Sequence, residues 1–169
     1  MRIDRFQGED DVIREVTAIM RNASWIVLAS GGNQGTFRVP EGRKWKAPDL
    51  VAASPNGTLL VCEAKLRPSA LFLPNKYDES DCDFMQRICA SAELQKELLS
   101  RANEVLRSLG RIPGGAHSVV CGLIAAPAFS TDHLIAASGL VILEALGPGQ
   151  AIRLLGGGLP DAPSLDLAT

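Results

Sequence analysis

The sequence predicts one α/β domain with a mixed central β-sheet. Apolar residues at helical spacing follow the N-terminus, two strand-like segments flank a tight turn at residues 54–57, and a nearly continuous apolar run covers residues 118–126. A run of the last kind is typical of a strand that is buried on both faces of a sheet. The predicted element order α, β, β, β, α, β, α, β then requires parallel and antiparallel strands in the same sheet.

Size and composition also fit one well-packed domain. The 169 residues are 46% hydrophobic and 21% charged, with a formal net charge of −2 at pH 7. This apolar content is sufficient for one core without disulfide bonds, and it excludes a disordered tail or a strongly basic nucleic-acid coat. An anionic partner therefore has to be met by a local group of basic residues.

Compartment and metal chemistry are constrained by the cysteines and by the apolar segments. The four cysteines form no C-x-x-C pair; they stand at Cys62, Cys82, Cys89 and Cys121. This spacing favours a reducing compartment and argues against a zinc site. The N-terminal residues lack an apolar stretch of signal-peptide length, and the run at residues 118–129 contains Pro127 and is shorter than a membrane span. We therefore expect a cytoplasmic protein with no membrane segment.

The first third of the chain is predicted to hold one helix and one long strand. The helix covers residues 9–23, where apolar residues recur at helical spacing and three acids occupy the first turn, as the helix dipole favours. The strand covers residues 24–30 and ends at a glycine-rich loop, residues 31–35. Residues 36–39 form a candidate edge strand.

A β-hairpin is predicted from strands at residues 47–53 and 58–66. A three-residue loop, with Gly57 in the left-handed conformation that follows a type I turn, sets Asp49 opposite Glu63. A two-residue loop would instead set Asp49 opposite Ala64. The three-residue loop is favoured, because Pro55-Asn56-Gly57 suits each of its positions.

The remaining elements follow from periodicity and turn residues. A long second helix is predicted, capped by Asp81 or Asp83 and running to about Leu109. The buried strand at residues 118–126 precedes a short helix at 131–137 and a strand at 140–146. We expect the domain to span residues 1–155 and residues 156–169 to form a flexible C-terminal tail.

The hairpin gathers residues that could bind a metal ion. Side chains two positions apart on a strand point to the same face, so Glu63 and Lys65 are neighbours. Asp49 opposite Glu63 places two carboxylates close together, an arrangement that favours either a retained proton or a cation. Hard oxygen ligands of this kind suit Mg²⁺ or Mn²⁺.

The pattern Pro48-Asp49, a hairpin and then Glu63-Ala64-Lys65 resembles the PD-(D/E)XK nuclease superfamily. The likeness covers roughly the first two-thirds of the chain and is greatest to the small Holliday-junction resolvases and related single-domain nucleases. It implies a restriction-endonuclease-like three-layer α/β/α fold around a central mixed β-sheet. It also implies Mg²⁺-dependent hydrolysis of phosphodiester bonds in nucleic acid, with DNA as the expected substrate.

The resemblance assigns roles to residues around the hairpin. Asp49, Glu63 and the carbonyl group of Ala64 are the implied metal ligands, and Lys65 is implied to position or activate the attacking water. A glutamate on the first helix joins the site in the resolvase-like members.

Glu9 is the first choice for that glutamate, since it lies on the inward stripe of the helix, and Glu15 at the border of the stripe is the alternative. Some members add a glutamine on the second helix, for which Gln86 or Gln95 could serve, with Gln86 preferred.

A basic rim is predicted around the acidic centre. Trp45 within it could stack on an unpaired base, although a basic surface loop anchored by this tryptophan explains the pattern equally well. The predicted nucleic-acid contacts are Arg38, Arg43, Lys44, Lys46 and Arg67.

Two other interpretations of the sequence stay open. A non-catalytic subunit with the nuclease fold could bind or scaffold a partner protein. A purely structural α/β domain would carry Glu63 and Lys65 as a solvated ion pair. If the chain is a nuclease, one site cuts one strand at a time. Cutting both strands of a duplex then needs a homodimer or two successive binding events.

Overall fold

In the part of the chain that the structure describes, four α-helices accompany one six-stranded sheet and one two-stranded sheet. The computed structural model describes residues 5–31, 35–41, 44–149 and 151–159. Short 3-10 segments lie at Gly35–Phe37 and Pro68–Phe72. The other elements are α1 (Glu9–Asn22), β1 (Ile26–Ser30), β2 (Val39–Glu41), β3 (Lys44–Lys46), β4 (Leu50–Ala53), β5 (Thr58–Lys65), α2 (Asp81–Cys89), α3 (Ala92–Ser108), β6 (Ser118–Ala125), α4 (Thr131–Ala136), β7 (Val141–Ala145) and β8 (Ile152–Gly156).

The six-stranded sheet is mixed, as the sequence predicts. Its strand order is β1-β4-β5-β6-β7-β8. β4 pairs antiparallel with β1 and β5, β6 pairs parallel with β5 and β7, and β8 closes the other edge antiparallel to β7. β5 therefore lies inside the sheet, and seven of its eight residues are buried.

Helices cover both faces of this sheet. Val12, Val16 and Met20 of α1 pack with Leu60 and Cys62 of β5 in one apolar cluster. The other face of the sheet packs against α2 and α3 in a second cluster, through Phe84, Ile88, Leu98, Leu59 and Val61 among others. Since neighbouring residues of β5 alternate between the clusters, the architecture is consistent with three α/β/α layers.

The predicted hairpin register is confirmed. Val51 pairs with Val61 and Ala53 with Leu59, and the N–H of Ser54 donates to the carbonyl of Thr58 at 2.8 Å. Counting outward along the two strands sets Asp49 opposite Glu63. A three-residue loop with Gly57 at φ +90° closes the hairpin.

The second helix is not continuous, contrary to the sequence-based prediction. α2 ends at Cys89, and α3 begins after Ser91, whose side chain accepts a hydrogen bond from the N–H of Leu94. Ser91 is therefore an N-cap inside the predicted helix. The N-cap of α2 is Ser80, and the predicted caps Asp81 and Asp83 lie in its first turn.

Two further differences concern short strands. Residues 36–39 do not form an edge strand of the main sheet; instead β2 and β3 form a separate hairpin after the first 3-10 segment. β8 is unpredicted, and its Gly156 pairs with Ile142, while Leu159 is buried on the α1 side. The folded domain thus continues past residue 155, where the sequence predicts a tail. Residues 160–169 of that predicted tail lie outside the described residues.

Within the described ranges, every helix is too short or too polar to cross a lipid bilayer.

Gly57 provides a test of the hairpin turn. A Cβ atom there would lie 2.6 Å from the carbonyl oxygen of Gly115 and 2.9 Å from Cδ2 of His117, in addition to the strain of a positive φ. Gly57→Ala should lower the free energy of unfolding by at least about 2 kcal/mol in urea denaturation. Gly114→Ala is the control, because its Cβ would meet nothing within 4 Å. Equal stability of the two variants would contradict this account of the turn.

Candidate functional site

Asp49 and Glu63 meet at the open end of the β4–β5 hairpin. Because Ser54 and Thr58 form a hydrogen-bonded pair, the alternation along the ladder makes Asp49 and Glu63 a non-hydrogen-bonded pair, in which side chains stand closest. The N–H of Asp49 donates to Oε1 of Glu63 at 3.2 Å. The predicted proximity of the two carboxyl groups is therefore present.

The backbone of Ala64 lies beside this pair, at the position of β5 that Pro48 would face if the ladder continued. Proline has no N–H, so Pro48 cannot donate to the Ala64 carbonyl. The N–H of Ala64 donates to Oδ2 of Asp49 at 2.8 Å. This hydrogen bond holds the Asp49 carboxylate against the end of β5.

Lys65 and Glu9 lie beside the acidic pair. The last residue of β5, Lys65, has its Nζ 3.5 Å from Oε2 of Glu9, which is the first residue of α1. Nζ of Lys65 also lies 3.7 Å from Oδ2 of Asp81. Of the two candidate glutamates of α1, Glu9 is thus the one that reaches the site.

A lysine and two acids that we did not assign to the acidic centre complete this cluster. Nζ of Lys46 on β3 lies 2.8 Å from Oδ1 of Asp81, 3.6 Å from Oε2 of Glu63 and 3.7 Å from Oε2 of Glu41. The sequence placed Lys46 on an outer basic rim, whereas the structure places it among carboxylates. The only sequence signal for Asp81 is its place among the acids at the start of α2, which predicts a helix cap rather than a site residue.

Helix capping explains the orientation of Asp81. The Ser80 hydroxyl accepts from the N–H of Asp83 and the Asp83 carboxylate accepts from the N–H of Ser80, both at 3.0 Å. This reciprocal capping satisfies the start of α2 without Asp81. Asp81 is left to face the two lysines.

Burial raises the pKa of Glu63, Asp49 and Glu9. Glu63 is only 2% exposed, and burial together with the nearby Asp49 charge raises its pKa well above the ordinary value. Burial also raises the pKa of Asp49, although the hydrogen bond from Ala64 opposes the shift. The pKa of Glu9 is raised by burial and by the charge of Asp49.

Both lysines remain charged at neutral pH. Burial would lower the pKa of Lys46, but the carboxylates of Glu63, Asp81 and Glu41 raise it above its ordinary value of 10.5. Burial likewise opposes the charge of Lys65, whose pKa is raised by Asp81, Glu9 and the hairpin acids. Each lysine therefore acts in the site as a positive charge rather than as a proton acceptor.

The donor chemistry suits a hard divalent cation. Oδ2 of Asp81 is buried and accepts no hydrogen bond from the described residues, and the other acids of the cluster also supply carboxylate oxygens. Within the described ranges, however, no three His, Cys, Asp or Glu side chains converge as a ready metal-binding group. The nearest cation to Glu63 and Asp81 is the ammonium group of Lys46.

Two predicted site residues make their contacts elsewhere. Oε1 of Glu15 accepts a hydrogen bond from the N–H of Gly149. The side-chain amide of Gln86 donates to the carbonyls of Ala136 and Ser138 at 2.9 and 3.3 Å, which ties α2 to the end of α4. The other candidate, Gln95, donates to the carbonyls of Ile88 and Cys89 across the α2–α3 break.

The residues of the predicted basic rim lie in different parts of the structure. Arg38, Lys44 and Arg67 are exposed, as a phosphate-binding role requires. Arg43 lies outside the described residues. Lys46 belongs to the acidic cluster rather than to the rim, because its ammonium group is held by Asp81.

A surface groove adjoins β3 on the side away from Lys46. It has a volume of about 430 Å³ and is lined by Arg38, Trp45 and Arg101 together with the 3-10 segment at residues 35–36. Trp45 is 61% exposed. Nη1 of Arg101 donates to the backbone carbonyls of Thr36 and Arg38 at 3.3 and 2.6 Å, which fixes one wall of the groove.

Comparison with known proteins adds no assignment: no protein-family model, curated protein or solved structure matches the chain.

Buried Glu63 predicts a specific pH dependence of stability. Because its pKa is higher in the folded than in the unfolded chain, stability without divalent ions should fall as pH rises above about 4.5, the ordinary glutamate value, by at most about 1.4 kcal/mol per pH unit. Glu63→Gln should flatten this fall between pH 5 and 8 in urea titrations. Glu104→Gln, an exposed change on α3, should keep the wild-type slope, and an unchanged slope for Glu63→Gln would contradict the assignment.

Proposed function

We propose that the chain is a Mg²⁺- or Mn²⁺-dependent nuclease of the PD-(D/E)XK type with a restriction-endonuclease-like fold. It hydrolyses phosphodiester bonds of nucleic acid, with DNA as the first substrate to test. The observation that carries the proposal is the pairing of Asp49 with Glu63, with Lys65 on the same strand and Glu9 beside it. Carboxylates paired in this way attract a hard divalent ion.

Residues of the hairpin would hold that ion. Asp49 and Glu63 would supply carboxylate oxygens, and Ala64 its carbonyl, which receives no ladder hydrogen bond from Pro48. Glu9 would complete the set, and Oδ2 of Asp81, which accepts no hydrogen bond from the described residues, is a further donor. A bound divalent ion lowers the pKa of water and stabilises negative charge on the phosphate.

Lys65 has a role in this mechanism as a cation. Its raised pKa keeps a proton on Nζ at neutral pH, so the side chain orients water and offsets charge at a phosphate oxygen without removing a proton. The ion pair with Glu9 fixes the ammonium group at the end of β5. Its half-exposed position leaves it accessible to a substrate.

The groove beside β3 favours a substrate with an unpaired base. Trp45 offers an exposed ring for stacking, and Arg38 and Arg101 offer positive charge for the backbone. Because Trp45 directly precedes Lys46, this groove and the acidic cluster lie on opposite faces of one short strand. A strand end or a branched structure would present such a base.

A second candidate function is a non-catalytic nuclease-fold subunit that binds or scaffolds a partner protein. The observation in its favour is Lys46, whose ammonium group already neutralises carboxylates that a metal ion would use. This candidate predicts metal or nucleic-acid binding without cleavage.

Cleavage of DNA tests the nuclease proposal against this alternative. With Mg²⁺ or Mn²⁺, the wild type should cut linear, branched or single-stranded DNA, and Asp49→Asn and Lys65→Ala should each reduce the rate by on the order of 10²–10⁴-fold. RNA substrates serve as a parallel series. Asp132→Asn on α4 and Lys96→Ala on α3 change exposed residues of the same types and should cut at the wild-type rate. Binding without cleavage in the wild type would favour the scaffold.

Binding of single-stranded DNA tests the stacking role of Trp45. Trp45→Ala should lose about 1–3 kcal/mol of binding free energy per stacked base, whereas Trp45→Phe should keep most of it. Fluorescence anisotropy at fixed salt, with EDTA to prevent cutting, measures the effect. Leu73→Ala changes another exposed apolar residue and should leave binding unaltered. A similar loss for Leu73→Ala would show that the groove is not the binding surface.

A further inference from the structure

Lys46 has the surroundings of a bound cation. Its Nζ is shared by carboxylates from three separate elements, Glu41 of β2, Glu63 of β5 and Asp81 of α2, at 2.8–3.7 Å. The ring of Phe84 lies 4.6 Å below the same ammonium group. These are the oxygen donors and the aromatic face that attract a positive charge.

The ammonium group offsets charge that the fold would otherwise leave uncompensated. Glu63 and Asp81 are buried, and acids outnumber lysines in the cluster. Removing one partner from a buried ion pair leaves the other charge unpaired, which is costly. Some cation is therefore needed at this place whenever both carboxylates are ionised.

Two of these carboxylates, Glu63 and Asp81, are also among the groups that would hold the proposed divalent ion. Lys46 reaches them from β3, which belongs to a two-stranded hairpin outside the main sheet, through a flexible four-carbon side chain that is still 21% exposed. An ammonium group held in this way can leave without disturbing the central sheet. Lys65, in contrast, is part of the main sheet and pairs with Glu9.

We propose that Lys46 is an internal counter-ion that occupies the carboxylates of Glu63 and Asp81 until a divalent metal ion displaces it. The inference rests on the proposed function in so far as it takes this cluster to be a divalent-ion site. Metal binding and the Lys46 ion pairs are then mutually exclusive. The affinity of the site for metal is set below its intrinsic value, because binding must first break these pairs.

Mn²⁺ titration of Lys46→Met tests the exchange. Without divalent ions, the variant should melt at a lower temperature than the wild type. Added Mn²⁺ should restore its Tm and bind roughly tenfold more tightly than to the wild type, as measured by calorimetric titration. Lys96→Met removes the same charge from an exposed position on α3 and should match the wild type in both measurements.

Lys46→Gln provides a second variant, because it removes the charge but keeps a hydrogen-bond donor for Asp81. Unchanged or weaker Mn²⁺ affinity in both variants would overturn the proposal. So would failure of both to fold at any Mn²⁺ concentration, because the metal could not then replace the ammonium group. DNA cleavage is measured separately. Tighter Mn²⁺ binding by the variants, without cleavage by any form of the protein, would support the exchange and refute the nuclease proposal. Cleavage by the wild type, with unchanged Mn²⁺ affinity in the variants, would support the nuclease proposal and refute the exchange.

Discussion

The register between β4 and β5 is the constraint on which the acidic site depends. Side chains alternate with a period of two along a strand, so a slip of one residue would turn Asp49 to the opposite face from Glu63. Gly57, at φ +90°, closes a loop of the length that sets this register. The paired ladder ends at Leu50 and Cys62, and beyond it the N–H of Ala64 donates to the Asp49 carboxylate.

Burial at this end of the hairpin creates an electrostatic problem that the surrounding elements resolve. β5 is an inner strand of the sheet, so Glu63 loses almost all of its hydration. Its raised pKa and the ammonium group of Lys46 are two ways of limiting the cost of a buried negative charge. A carboxylate held in this balance responds strongly to any other cation that can reach it.

Elements distant in sequence supply the rest of the cluster. α1 brings Glu9 to the end of β5, and the β2–β3 hairpin brings Glu41 and Lys46. α2 contributes Asp81, which is free to face the lysines because Ser80 and Asp83 already cap the helix. The site is thus assembled from α1, the β2–β3 hairpin and α2 around the β4–β5 hairpin. The exposed Trp45 on the reverse side of β3 joins it to a groove with basic walls.

Local chemistry in the sequence was sufficient to predict α1, the β4–β5 hairpin and the buried strand β6, because periodicity and turn residues act over a few positions. It also predicted that Asp49 and Glu63 would meet, since a turn type determines the register. The break at Ser91 comes from a local N-cap inside an otherwise helical pattern, whereas the strand β8 and the inward position of Lys46 depended on tertiary packing. A lysine in a basic segment has the same local pattern whether it faces solvent or carboxylates, and only the fold, by bringing Glu63 and Asp81 within reach of Nζ, decided between them.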